Sequence, residues 1–159
     1  MQIQKNKDGN LEIKSKKATV VFDGKVVVND VELEGAGEYE VGEIAIEGID
    51  DDIYIFQIED VVLGSVNFKS KITKENVERL ANCDAVLVRL DGKVHEAVEQ
   101  AGQIQPDTII YAGTSRSATE LKSSGVSFTK SDSIKLSKAD IGQEKSYFLE
   151  LADGNGQNL

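Results

Sequence analysis

The sequence predicts an α/β fold in which N-terminal antiparallel strands are followed by β-α-β-α-β units. Three observations carry this. Residues up to about 65 break into short β-branched or alternating runs separated by turn residues. From Thr73 onward the apolar period changes to that of helices. Between those helical segments lie continuous apolar runs such as Ala85-Val86-Leu87-Val88, the pattern of a strand buried on both faces.

The first strand opens at Ile3, and Asp8-Gly9-Asn10 supplies a turn because Gly and Asn tolerate positive φ. Leu11 to Lys14 alternates, and Ala18 to Phe22 is a β-branched run ending at Asp23-Gly24, a hairpin signal. Val26-Val27-Val28 returns, Asn29-Asp30 turns, and Val31 to Glu34 alternates again. Tyr39 to Val41, Ile44 to Ile49, Ile53 to Ile58 and Val61 to Leu63 follow the small-residue turn Gly35-Ala36-Gly37. So many short strands at close spacing predict antiparallel sheet arranged as a sandwich.

In the second half Thr73 is a good N-cap for a helix over Lys74 to Ala81, with Val77, Leu80 and Ala81 on one face. Val94 to Ile104 carries Val94, Ala97, Val98 and Ala101 at helical spacing and is stopped by Pro106. Thr108 to Tyr111 reads as a strand and Ser117 to Ser123 as a helix capped by Gly125. Val126 to Phe128, Ser133 to Leu136 and Ser146 to Leu151 are expected to complete the sheet. One domain over residues 1–151 is expected, with 152–159 a flexible tail, since Asp153 to Asn158 has nothing to bury.

Composition bounds the function. The chain has 159 residues, 28 acids against 18 bases and a net charge of −10, which disfavours nucleic acid and anionic membranes as partners. Basic residues gather mildly at Lys14-Lys16-Lys17 and Lys69-Lys71-Lys74, where solvated strand ends and a helix start explain them. The N-terminus has no apolar core of a signal peptide, and Cys83 is the sole cysteine, so a cytoplasmic protein is expected.

The run Gly35-Ala36-Gly37-Glu38-Tyr39-Glu40-Val41, followed by Ile44-Ala45-Ile46-Glu47-Gly48-Ile49, resembles a segment of the metallo-β-lactamase superfamily. In its small bacterial predicted zinc-dependent hydrolases a Gly-Pro-Gly-Glu-Tyr-Glu-type motif recurs. The resemblance extends in order from about Asn10 to Leu151. Leu11 to Asp23 resembles the opening strands, and Ile53 to Ile58 the strand after the motif. Val62-Leu63-Gly64-Ser65 is similar to a His-Leu-Gly-Asp element, and Ile72 to Ala81 to the following helix. Asp84 to Val88 and Gln103 to Ile110 resemble later strands; Ser133 to Leu136 with Lys138-Ala139-Asp140 is similar to the closing segment. The implied fold is a truncated metallo-β-lactamase-like sandwich.

The departures fall on the chemistry. Zinc hydrolysis needs imidazoles and carboxylates around an ion with an open water position. The family's His-x-His-x-Asp-His loop would lie between Asp23 and Gly35, where there is no His. Ser65 stands at the bridging Asp position, and Ala112-Gly113 stand where the final His should follow a strand. His95, the one histidine, sits on a predicted helix and matches no ligand position. The resemblance therefore implies a scaffold without the family's active site: no metal, no cofactor, not an enzyme. A homodimer or a protein partner is expected, because the missing segments would leave sheet surface to be covered.

Other candidate sites have bland explanations beside them. Asp50-Asp51-Asp52 with Glu47 nearby offers oxygens to a hard cation, but the spacing is not that of an EF-hand loop and consecutive acids cannot all point inward, so a solvated acidic turn is the favoured reading. Ser65 or these acids would have to carry any rebuilt hydrolase site. Cys83 and His95 invite a nucleophile-base reading, but Cys83 falls where a small apolar side chain is ordinary. Gly113-Thr114-Ser115-Arg116-Ser117 follows a strand and opens a helix, so its N–H groups, hydroxyls and Arg116 form the candidate site for a small anion or phosphate. Helix capping is the competing use of the same residues.

Overall fold

Turn chemistry folds the N-terminal third into a meander. Its strands are β1 (Gln2–Lys5), β2 (Leu11–Lys14), β3 (Thr19–Phe22), β4 (Val26–Val28) and β5 (Val31–Leu33), each antiparallel to the next. The computed structural model describes residues 1–50, 52–69, 71–141 and 144–152. Between β1 and β2 the Asn6 side chain accepts hydrogen bonds from the N–H groups of Asp8 and Asn10. Between β4 and β5 Asn29 and Asp30 both take left-handed conformations (φ 46° and 71°), as a two-residue type I′ hairpin requires. Asn29 also accepts from the Thr19 N–H and donates to the Lys17 carbonyl, which ties the turn to β3.

A second meander follows: β6 (Gly37–Val41), β7 (Ile44–Asp50), β8 (Ile53–Ile58) and β9 (Val61–Val66). After it the chain alternates helix and strand: α1 (Lys74–Ala81), β10 (Ala85–Arg89), α2 (Val94–Ile104), β11 (Thr108–Gly113), α3 (Ser115–Ser123) and β12 (Thr129–Lys130). It then runs through β13 (Ser133–Lys135), a short 3-10 turn at Lys138–Asp140, and β14 (Lys145–Glu150). The result is a six-stranded sheet ordered β13-β1-β2-β3-β4-β5 and an eight-stranded mixed sheet ordered β12-β14-β11-β10-β9-β8-β7-β6. From β9 to β12 the larger sheet is parallel throughout.

Side-chain alternation divides the interior into two layers. Ile3, Ile13, Val20 and Val28 of the small sheet meet Phe56, Leu63, Leu87 and Ile110 of the large one. On the other face of the large sheet, Val86, Val88, Ile109 and Phe148 meet Leu80 of α1, Ala101 of α2 and Leu121 of α3. Gly64 sets how closely α1 can sit: a Cβ there would lie 2.7 Å from Leu80 Cδ2 and 3.0 Å from Cys83 Sγ. The fold is α/β with two sheets and three helices, and no helix among the described residues is long and apolar enough to cross a membrane.

Several expectations are corrected. Val126 to Phe128 is not a strand. The Val126 N–H is spent on the Leu121 carbonyl in the cap of α3, and Phe128 packs on Phe148 at 5.4 Å, so pairing starts only at Thr129. Ser133–Lys135 joins the small sheet through β1 rather than completing the large one. Helix α3 begins two residues before Ser117 because Thr114, not a later residue, caps it. The tail from Asp153 to Asn158 and the Asp51 of the acidic turn lie outside the described residues.

Candidate functional site

The loop Gly113 to Ser117 forms a helix start. Thr114 Oγ1 accepts from the Ser117 N–H at 3.4 Å, and the Gly113 carbonyl accepts from the Leu151 N–H at 2.7 Å. Ser117 is buried, Ser115 opens α3, and Arg116 points to solvent and pairs with Glu120 at 3.4 Å. None of the five lines a described cavity. The Thr114 hydroxyl is engaged in capping and lies 3.4 Å from the Ser117 hydroxyl, and the cation is engaged in an i,i+4 pair.

The remaining sequence candidates are not brought together. Asp50 Oδ1 accepts from the N–H groups of Asp52 and Ile53, so it closes its own turn. Cys83 donates its thiol to the Arg79 carbonyl at 3.6 Å, and burial pushes its pKa up to about 11, the reverse of what a nucleophile needs. His95 is exposed on α2 beside Glu99 and Ser124. Among the described residues no three His, Cys, Asp or Glu side chains could together hold a metal ion.

The structure instead assembles a site at the carboxyl ends of β9, β10 and β11, where the two sheets part. Here a cleft of about 620 Å³ opens between Leu11 and Phe22 on one side and Tyr54, Asn67, Arg89 and Ala112 on the other. Cavities at the carboxyl ends of parallel strands are a recurrent place for ligands in α/β folds. Ser65 is wholly buried on β9, between Tyr54 of β8 and Leu87 of β10. Arg89, the last residue of β10, points to the same inner face. Its Nε donates to Ser65 Oγ at 2.9 Å and one terminal nitrogen donates to the Asp52 carbonyl at 3.0 Å. The guanidinium carbon lies 4.9 Å from the centre of the Phe22 ring, a cation–π contact that spans the two sheets.

Burial lowers the Arg89 pKa to about 10, against the opposing pull of Asp52, Tyr54 and Asp91, so the group is a cation at neutral pH. Asn67 stands beside it: the Asn67 N–H donates to the same Asp52 carbonyl at 3.0 Å. Its Oδ1 is buried and has no hydrogen-bond partner among the described residues. At the rim, Lys25 pairs with Glu32 at 3.0 Å, and Lys69 stands 4.0 Å from Asp91.

Arg89, Asn67 and Tyr54 were not legible as site residues. The available signal was a cation closing the apolar run Ala85 to Val88, ordinarily the mark of a solvated strand end. Comparison with protein-family models, with curated proteins and with solved structures gave no match.

Proposed function

We propose that this chain is a non-catalytic protein of truncated metallo-β-lactamase-like fold, a pseudoenzyme whose scaffold serves protein interaction, beginning with a second copy of itself. The observation that carries it is Arg89. In the frame of the resemblance, Ser65 stands where a carboxylate would bridge catalytic metals, and the Arg89 guanidinium is hydrogen-bonded to it. A fixed buried cation there repels a divalent ion across a few ångströms of low dielectric. The absence of histidine from the segment between Asp23 and Gly35 supports the same conclusion.

The interaction surface we favour is the outer face of β6, β7 and β8 at the margin of the helical layer, where Arg79 of α1 pairs with Glu47 of β7. There Ala45, Ile55 and Val62 lie among Glu38, Glu40 and Gln57 in a shallow depression of about 410 Å³. Val31 is the one large hydrophobic residue that is strongly exposed among the described residues, so the dimer would be held by a modest, mixed surface rather than a broad apolar patch. Light scattering at tens of micromolar tests the dimer: a mass of two chains is expected, and a monomeric mass contradicts it. An esterase and phosphodiesterase screen tests the pseudoenzyme: no turnover is expected, and chelator-sensitive turnover contradicts it.

A further inference from the structure

The sandwich is open along one side. Strand β5 ends the small sheet and β6 ends the large one, so each is paired on one side only. The two edges run close together: a Cβ on Gly42, in the β6–β7 turn, would lie 2.5 Å from Asn29 Nδ2 in the β4–β5 turn. Gly42 and Glu43 both take left-handed conformations (φ 58° and 64°) between the paired residues Val41 and Ile44, a two-residue type I′ hairpin. In such a hairpin the flanking pair exchanges both main-chain hydrogen bonds, and bonded and non-bonded pairs then alternate along the strands. Tyr39–Ile46 is therefore a bonded pair, whereas Glu40–Ala45 and Glu38–Glu47 are not. The N–H and C=O groups of Glu38 and Glu40 consequently point away from β7, into the open edge. No turn or loop hydrogen bond among the described residues takes them.

The side chains set what this edge selects. Tyr39 and Val41 turn inward to the core between the sheets, which places Glu38 and Glu40 on the outer face, both exposed. Neither carboxylate forms an ion pair with a described residue, while Glu47 on the neighbouring strand is held by Arg79. Val31, which alternates with the buried Leu33 on β5, is 45% exposed on the same open side. A like strand is excluded here. Antiparallel pairing of two β6 edges about Tyr39 would set each Glu38 opposite a Glu40, and like charges directly opposite are destabilising. Charged residues commonly keep the edges of identical chains apart. What they leave is an edge that accepts the opposite charge.

We propose that β6 takes up an extended basic segment of another protein as an added antiparallel strand, with Lys or Arg at two alternate positions and an apolar residue between them. The main chain of Glu38 and Glu40 bonds to the two basic residues, whose side chains then stand beside the two carboxylates on the outer face. The residue between them, opposite Tyr39, turns inward on the side where Val31 is uncovered. The net charge of −10 favours the approach of such a segment. This inference goes beyond the dimer: it uses the edge of β6 rather than the face of β6 to β8, names a different partner, and holds for a monomer as for a dimer.

The test is a titration of the full chain, followed by amide NMR and hydrogen exchange, with three blocked peptides. One has the centre Thr-Arg-Val-Arg-Thr, the second has Thr-Glu-Val-Glu-Thr, and the third repeats the first with both arginine amides N-methylated. At about 1 mM peptide, roughly ten times a Kd near 0.1 mM, the arginine peptide is expected to shift the β6 amides and to slow exchange of the Glu38 and Glu40 amide protons about tenfold. The N-methylated peptide keeps the charge and loses the main-chain donors, so it should bind about tenfold more weakly or worse. The glutamate peptide should leave β6 unmoved. Glu38→Lys together with Glu40→Lys changes two exposed side chains, is expected to fold, and should reverse the preference between the arginine and glutamate peptides. Equal binding of the arginine peptide and its N-methylated form would reduce the contact to general charge attraction and overturn the proposal. Shifts centred away from β6, or unslowed exchange at Glu38 and Glu40, would overturn it as well.

Discussion

Arg89 Nε donates to Ser65 Oγ at 2.9 Å, joining β10 to β9 through side chains beside the inter-sheet cleft. The bond is charge-assisted and out of bulk water, so it is worth more than a surface pair. Arg89→Lys replaces a fork with a point charge that cannot serve both Ser65 and the Asp52 carbonyl. A loss of about 1.5–3 kcal/mol in urea unfolding is expected. Ser65→Ala should cost about 1 kcal/mol, and the double variant less than the sum of the two. Strict additivity would mean that the two side chains do not interact.

The Gly35 to Ile49 run has a packing reason for its residues. The Tyr39 hydroxyl donates to the Gly35 carbonyl at 3.1 Å, and Gly48 on the neighbouring strand lies directly against that carbonyl, with no room for a Cβ. Tyr39→Phe should cost about 1 kcal/mol. Gly48→Ala meets backbone rather than a movable side chain and should cost about 3 kcal/mol or more. An alanine variant as stable as the native chain in urea would show that this close approach is not a constraint.

Cys83 gives a pH-dependent readout. Desolvation raises its pKa from 9.0 to about 11, so the folded chain holds the thiol proton more tightly than the unfolded chain. Stability from this group is full below pH 9 and is lost as pH rises through 11. The difference in Tm between the native chain and Cys83→Ala should follow that window. The shift alone lowers the thiolate fraction at pH 8 by about 100-fold, so alkylation by iodoacetamide should be slow until the chain is unfolded in urea. Rapid alkylation of the folded chain would place Cys83 in a different environment.

Ile55 lies on the outer face of β8, within the depression assigned to the dimer. Ile55→Lys should halve the mass seen by light scattering and leave the circular dichroism of the fold unchanged, since a lysine stem can lie along the sheet with its ammonium in water. An unchanged dimer would move the interface elsewhere.

Local signals made much of the architecture legible. Asp23-Gly24 and Asn29-Asp30 mark hairpins because few residues accept their backbone angles, and α1 and α2 have the expected bounds because Thr73 and Pro106 punctuate them. What escaped depends on long-range pairing. Nothing near Ser133 says that it pairs with Gln4 in the other sheet, more than a hundred residues away. The cleft was hidden for the same reason: Arg89, Asn67 and Phe22 are unremarkable one by one and become a site only when the two sheets face each other. Gly113 to Ser117 was visible because its composition suits an anion, yet that composition equally suits a cap, and the structure uses it as one.

The most direct test of a guanidinium in place of a catalytic metal is the metal content of the full chain, purified after expression with added zinc and cobalt. The expected result is no stoichiometric metal in the native chain, and none gained on dialysis against zinc. One or more zinc or cobalt ions per chain, removed by chelator together with hydrolytic turnover, would contradict it.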